Sequence, residues 1–405
     1  MFRRRQKMRE KICSFTILCV LLNRVCAGCR RRINVQKKHT EANPKKQTAE
    51  ANRRNNVQKT NKKIAKNMEN VKKLALGVDI GGTNTAFGLV DETGDVFAES
   101  VIPTRKYLTY DDYPAFVEDL CDGMSRLIDS LSFDFELLGI GIGAPNANFH
   151  KGTIETPANL WKFRAGEPDP DESRRVFHLA KDIERHFPGK LVLLTNDANA
   201  ATIGELVYGN AKGMKDFIMV TLGTGLGSGF VANGELVYGD DGFAGEFGHI
   251  VVEKYNGRKC GCGRSGCLEA YVSATGIKRT AFELMATMNT PSKLRDIPFN
   301  QFDSAMISAA ANEGDPLALE TFRYTGELLG RALADAVAIT SPEAIFLFGG
   351  LAKAGKLIFE PTKWYLEENV CPVFRNKVQL LPSGLQDKNA AILGSAALIW
   401  QSQAE

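Results

Sequence analysis

Residues 74–90 read LALGVDIGGTNTAFGLV: an apolar run, a turn built on Gly81-Gly82, and a second apolar run from Thr85. Residues 217–232, FIMVTLGTGLGSGFVA, repeat that plan, with a glycine turn from Gly223 and a partner strand expected at Ser228 to Ala232. Short apolar runs bounded by glycine turns are strand signals. Their recurrence points to an internal duplication into two similar halves. Outward from the first copy, Gly94-Asp95 turns into a third strand, Val96 to Ile102, and Tyr113 to Leu131 has helical periodicity. Leu137 to Ile142 and Leu191 to Leu194 are buried strands, and the second is followed by a helix over Ala198 to Tyr208. Helices dominate from Leu268 to about Thr340 and stop at Pro342; Ala344 to Phe348 is a further strand, and Asn389 to Trp400 a last helix. Strands alternating with helices make this an α/β protein.

Three glycine turns follow buried strands: Asp79-Ile80-Gly81-Gly82-Thr83-Asn84-Thr85, Gly223-Thr224-Gly225-Leu226-Gly227-Ser228-Gly229, and Gly349-Gly350-Leu351-Ala352. Backbone N–H groups in such turns can cradle an anion, and glycine lets a phosphate approach. Thr83, Thr85 and Thr224 add hydroxyl donors. Any one of these loops reads equally well as a tight hairpin; three at strand ends favour a nucleotide. There is no GxxxxGK[ST] stretch, which excludes a P-loop enzyme. The loop at 223–229 lacks GxGxxG spacing and enters a strand, which disfavours a dinucleotide fold.

Residues 245–269, GEFGHIVVEKYNGRKCGCGRSGCLE, place His249 near Cys260, Cys262 and Cys267. One histidine and three thiolates complete a tetrahedral zinc shell with no position for water, so the metal would be a staple. A disulfide or plain buried thiols are the competing readings. The single residue between Cys260 and Cys262 suits a chelate better than a disulfide of ordinary geometry. Glu246 and Glu269 flank the ligands and look like groups the staple positions.

The 405 residues suffice for two domains. The net charge of +4 is split: residues 1–67 carry 20 Lys+Arg against 3 Asp+Glu, and the remainder 31 against 44. The acidic body shows no nucleic-acid footprint. The basic leader contains four of the nine cysteines and an apolar stretch, Ile12 to Leu22, that resembles a signal peptide but is too short to span a bilayer. A disordered tail, an export or anchor signal, and a translated upstream region ahead of a true start at Met68 compete, and the last fits best because the globular pattern begins beside Met68. The cysteine usage of the body fits a reducing cytoplasm, with no membrane partner expected for it.

The motifs DIGGT, GAPN, NDANAA, GTGLGSG, AGEFGH, CGCGRSGCLE and FGG, in that order over residues 72 to about 400, resemble the ROK family (repressor, open reading frame, kinase) of sugar kinases, and among them the bacterial glucokinases. The ten residues between His249 and Cys260 look one longer than is usual there. The resemblance implies a two-domain actin-like, hexokinase-like ATPase fold of duplicated RNase H-like halves with a zinc-stapled loop. Residues 72–195 would form the N-terminal α/β domain, with a C-terminal helix at 388–402 packing back on it, and 196–387 the larger domain with the sugar site. The implied reaction is ATP-dependent phosphorylation of a hexose hydroxyl, glucose to glucose 6-phosphate.

On the same resemblance Asp197 is the base, with a helix N-cap as its bland alternative. Asp79 holds Mg²⁺ through water, or merely opens a turn. Gly81, Gly82, Thr83, Thr85, Gly223, Thr224 and Gly225 contact phosphate, and Gly349 and Gly350 flank the adenosine. Asn196, Asp197, Glu246, His249 and Glu269 bind sugar hydroxyls, with His249 binding zinc through one ring nitrogen. Gly143 to Asn146 and the loop near Asn159 line the other side of the sugar. His150, His178 and His186 have no motif and read as surface residues. A homodimer is implied. N-acetylmannosamine, N-acetylglucosamine, fructose and mannose are alternative acceptors, and polyphosphate an alternative donor. Sugar-sensing repressors of the same family are the rival class, but they carry a helix-turn-helix whose spacing the leader lacks, and tend to lose loops such as DIGGT.

Overall fold

The computed structural model describes residues 71–157, 160–161, 175–386 and 390–403; the expectations for the basic leader and for Asn159 lie outside them. Two five-stranded sheets carry the fold. The first uses β1 (Lys72–Ile80), β2 (Thr85–Val90), β3 (Val96–Ile102), β4 (Phe135–Gly143) and, after the small three-stranded sheet of β5 (Ala147–Asn148), β6 (Thr153–Glu155) and β7 (Val176–Phe177), β8 (Leu191–Thr195). Its order is β3-β2-β1-β4-β8. The second uses β9 (Phe217–Leu222), β10 (Leu226–Ala232), β11 (Glu235–Leu236), β12 (Ala344–Phe348) and β13 (Gln379–Pro382), in the order β11-β10-β9-β12-β13. In each, the first strand pairs antiparallel with its hairpin partner and parallel with a strand arriving through a helix. The duplication read from the two glycine hairpins is thus a duplication of whole sheets.

The helices are α1 (Tyr113–Asp129), α2 (Leu179–His186), α3 (Asp197–Tyr208), α4 (Ala274–Thr287), α5 (Ser304–Asn312), α6 (Pro316–Thr340), α7 (Lys356–Asn369) and α8 (Ala390–Ser402). The helix ahead of Pro342 ends at Thr340, where Ser341 takes a left-handed conformation. The last helix begins at Ala390 among the described residues; the expected start, Asn389, lies outside them.

The second hairpin differs from expectation at its turn. β10 starts at Leu226, not Ser228, so Gly227 and Gly229 are strand residues. Their glycine character serves packing: a Cβ on Gly227 would stand 2.7 Å from the Ala198 Cβ, and one on Gly229 2.1 Å from the Thr202 hydroxyl, both on α3. Similar contacts seat α8. Gly77 and Gly141 are register partners in β1 and β4, and side chains there would run into the Ile392 and Ser395 carbonyls. α3 and α8 meet where Gly204 faces Gly394, with 2.8 Å from a built Cβ to the opposing Cα. Glycine in a strand or helix costs backbone entropy, and here it allows two helices to approach closely beside the strand ends.

Separate apolar cores fill the two halves, one around Phe87, Phe116 and Trp161, the other around Ile218, Leu268, Phe322 and Leu347. Glu205, fully buried on α3, accepts hydrogen bonds from the Asn210 and Gly384 amides (2.8 and 2.9 Å) and from the Ser383 hydroxyl, fixing the end of α3 to the segment after β13. Among the described residues no helix is long and apolar enough to cross a membrane.

Candidate functional site: carboxylates between two glycine turns

α3 opens on Asn196, whose Oδ1 accepts the Ala198 N–H at 2.9 Å. The capping role therefore falls to Asn196. Asp197 is the first helical residue and reaches the same N–H at 2.8 Å. Asp197 is open to solvent yet surrounded by protein, as a side chain on the floor of a cleft is. A cavity of about 350 Å³ is lined by Asp79, Asp197, Ala198, Thr221, Phe348 and Ala390. It thus gathers the ends of β1, β9 and β12 and the starts of α3 and α8. Burial, together with the Asp197 charge, pushes Asp79 up to about 7. Burial also raises Asp197, against the opposing Ala198 N–H. Glu246 is raised by burial and by the charges of Asp197 and Glu269, with His249 opposing. Carboxylates facing one another in this way favour a bound cation or a shared proton.

The first glycine turn closes on itself, Gly81 N–H to Asn84 carbonyl at 3.0 Å, and leaves Gly82 and Thr83 exposed. The expectation that Thr85 contacts phosphate does not fit this geometry. Thr85 is fully buried, with its Oγ1 2.7 Å from that of Thr104, because it starts β2 and points into the sheet's packing. The second turn, Gly223–Gly225, is exposed at Gly223 and Thr224. The third abuts it: Leu351 donates to the Leu222 carbonyl at 3.2 Å, and Gly349 (φ 99°) has the Leu222 carbonyl 2.7 Å from where a Cβ would stand. A second cavity, of about 550 Å³, opens just beyond Gly350, between Ala352, Lys353, Phe359, Pro382 and Gln386.

β10 positions the metal-ligating stretch. The Ser228 hydroxyl donates to the Gly245 carbonyl and accepts from Phe247 N–H, which fixes the turn carrying Glu246. Gly248 passes the Leu226 carbonyl too closely for any side chain. The ligand atoms of His249, Cys260, Cys262 and Cys267 all lie within 4.8 Å of one another. The Cys262 and Cys267 sulfurs are 3.7 Å apart. That matches the roughly 3.8 Å between two sulfurs each about 2.3 Å from a tetrahedral zinc. It is far outside disulfide bonding distance, and the cysteines are free. His249 turns Nδ1 toward Cys260 Sγ (3.7 Å) and Nε2 toward Glu246 (3.9 Å). Arg258 ties the loop to α4 through Glu283, Thr280 and the Gly276 carbonyl, and to the Ala270 carbonyl just ahead of it.

Asn146 lies in the loop between β4 and β5. Its φ is 55°, and its amide donates to the Thr156 carbonyl at 2.9 Å, so it shapes its own loop. His178 and His186 are exposed, as expected. His150 is exposed too, but its Nε2 lies 2.9 Å from the Gly239 carbonyl. Beside it Phe149 stacks on Tyr238 (4.1 Å, 10°), and buried Asn148 donates to the Asp241 carbonyl at 2.8 Å. These contacts join the β5–β6 loop to the segment leading to Glu246. No local pattern announces them, since the partners are some ninety residues apart in the chain.

The sequence model of the ROK family matches residues 75–402. This chain belongs to the ROK family. Among its curated ROK relatives is the glucokinase of Thermotoga maritima, 34% identical over 326 residues, covering 80% of this chain and 96% of the relative. The xylose repressor of Bacillus spizizenii is more distant, at 28% identity over 80% of this chain and 76% of its own. Among solved structures, a ROK family glucokinase from Streptomyces griseus in complex with glucose and AMPPNP is similar with a TM-score of 0.63 and 31% identity, over 81% of this chain and 99% of that one. The fold is accordingly the actin-like, hexokinase-like fold of ROK sugar kinases.

Proposed function

We propose that this ROK protein transfers the terminal phosphoryl group of ATP to a hexose hydroxyl, with glucose as acceptor and glucose 6-phosphate as product. The observation that carries the reading is the convergence of Asp79, Asp197 and Thr221 on one cavity between the two glycine hairpins. The identity to glucokinases supports the acceptor. Phosphoryl transfer is largely positioning and electrostatics. The exposed backbone of Gly82-Thr83 and Gly223-Thr224 would hold phosphate oxygens. Gly349 and Gly350, with the cavity beyond them, would take the adenosine.

Asp197 would accept the proton of the attacking hydroxyl as the P–O bond forms; its raised affinity for protons suits a base. Asn196, His249 and Glu269, half-buried, and Glu246, exposed in the open cleft, would bind the other hydroxyls, and acceptors that a bound sugar covers reject analogues lacking the donor. Asp79 fits a water-mediated Mg²⁺ site, because a cation there relieves its repulsion with Asp197; bound Mg²⁺ supplies charge neutralisation of the triphosphate. His249 and the three cysteines would hold a structural Zn²⁺, which orients the imidazole. The reading includes a homodimer in a reducing cytoplasm, in keeping with five free cysteines among the described residues.

The test is ADP formation by the purified protein with ATP and Mg²⁺ over glucose, mannose, fructose, N-acetylglucosamine and N-acetylmannosamine. Glucose-dependent turnover, abolished in Asp197→Asn, is expected. Turnover with another sugar only would keep the mechanism and change the acceptor. No turnover in a folded, zinc-loaded protein would refute the reading.

A further inference from the structure

One segment, residues 269–275, touches the second glycine turn at two points and the first residue of β10 at a third. Ala274 N–H donates to the Gly223 carbonyl at 2.8 Å, Thr275 Oγ1 to the Thr224 carbonyl at 3.1 Å, and Leu226 N–H to Glu269 Oε2 at 3.0 Å. In a trans peptide the carbonyl of one residue and the N–H of the next point in opposite directions. Turning the Gly223 and Thr224 carbonyls toward 274–275 therefore turns the Thr224 and Gly225 N–H groups the other way, onto the open face of the turn. Gly223 has nothing within 4 Å of where a Cβ would stand, whereas a Cβ on Gly225 would meet Glu269 Oε2 at 2.5 Å. The segment is itself braced: the Ser273 hydroxyl donates to the Glu269 carbonyl (2.8 Å) and accepts from Gly276 N–H (3.0 Å).

Glu269 faces two ways. Oε2 holds the Leu226 amide, while Oε1 lies 3.4 Å from Cys260 Sγ on the metal-cluster side. A metal-bound thiolate has no proton to donate, so in the zinc-loaded protein Oε1 is free to accept from a ligand hydroxyl. Both oxygens belong to one rigid carboxylate plane. Rotation that satisfies a hydroxyl at Oε1 moves Oε2 relative to Leu226.

We propose that Glu269–Thr275 is a coupling element: it sets the peptide planes of the phosphate turn, with Thr275 as a positioning residue, and links nucleotide affinity to occupancy of the acceptor pocket through Glu269. This rests on the kinase reading above. Coupling between two binding sites is reciprocal, so sugar and nucleotide tighten each other by one common factor.

The experiment is calorimetric titration of the full chain with Mg²⁺–AMPPNP and with glucose, each with and without the other, for wild type, Thr275→Val and Gly225→Ala, after matching their thermal unfolding. Wild type is expected to gain about fivefold or more in each affinity when the other ligand is bound. Thr275→Val keeps the side-chain shape, removes the hydrogen bond to the Thr224 carbonyl and the contact with Ser273 Oγ (3.0 Å), and is expected to weaken AMPPNP binding about 2- to 10-fold, while Ser273 keeps its bonds to the Glu269 carbonyl and Gly276 N–H. Its affinity for glucose alone stays at the wild-type value, and the coupling factor falls toward one. Gly225→Ala is expected to weaken AMPPNP binding further. A wild-type coupling factor of one overturns the proposal. So does a Thr275→Val protein with unchanged AMPPNP affinity, or one in which both ligands weaken alike. Absence of turnover with every sugar breaks the kinase reading instead; AMPPNP affinity in the two variants then still decides whether the segment sets the turn.

Discussion

The two glycine hairpins occupy equivalent places in two sheets of the same strand order, yet they are supported differently. Each turn bonds within itself, Gly81 N–H to the Asn84 carbonyl and Gly223 N–H to the Gly225 carbonyl, both at 3.0 Å, and the first is further held by Arg105 N–H on the Thr83 carbonyl at 3.2 Å. The second is clamped by residues 269–275, which continue from the cysteine cluster. The acid also differs. Asp79 precedes the first turn by two residues, and Thr221 holds the matching place before the second. Duplication supplied a pair of similar strand ends, at Asp79 and Thr221, that line one cavity. Divergence placed Asp79 before the first turn and the metal cluster, with its two flanking glutamates, beside the second.

That asymmetry can be broken by substitution, beginning where the largest effect is expected. Asp197→Asn should lower kcat by about 10²- to 10⁴-fold with the fold intact, the range for loss of a general base; a drop below tenfold in steady-state ADP formation would remove Asp197 from that role. Next, Cys267→Ala takes a fully buried ligand from the cluster in the second half. A loss upwards of about 3 kcal/mol is expected in denaturant unfolding, together with loss of bound zinc by elemental analysis. An unchanged midpoint would mean that the cluster does not staple the loop. Glu205→Ala should cost about 2–4 kcal/mol, because three buried or half-buried donors lose their acceptor.

Carboxylates raised by burial predict a pH dependence of one sign. Asp79 titrates near 7 in the folded chain against 3.8 as its ordinary value, so the native state holds the extra proton between those limits. In Mg²⁺-free, ligand-free protein its contribution to stability is therefore greatest below about pH 4, declines as pH rises toward 7, and is flat above. Asp197, raised in the same direction, adds to the decline. Urea midpoints across this window should fall less steeply in Asp79→Asn; parallel curves would count against the shared field of the two acids. The smallest effect belongs to Thr85→Val, which loses the bond to Thr104 and about 1 kcal/mol of stability. Its KM for ATP should stay near the wild-type value, and a tenfold rise would restore Thr85 as a phosphate contact.

Much of this was legible beforehand because it is written locally. A glycine turn between two apolar runs is specified by residues within a few positions of one another, and both hairpins form, the second with its turn shortened by two residues. The same holds for His249, Cys260, Cys262 and Cys267, whose spacing alone limits them to a chelate, a disulfide or buried thiols; the distances favour the chelate. What escaped local reading depends on neighbours distant in the chain. Gly227 and Gly229 look like turn residues until α3 is laid across β10. Thr85 looks like a hydroxyl donor until Thr104 comes to meet it.

The sequence by itself determined the periodicity of the strands and helices, the two turns that break them and the set of metal-binding side chains, since each follows from the conformational limits of neighbouring residues. Only the tertiary structure decided which carboxylates share a field, that Asn196 caps α3 and leaves Asp197 facing the cavity, and that Glu269 reaches the amide of Leu226. Those depend on how two sheets and two closely packed helices meet, and packing brings together groups that no spacing along the chain records.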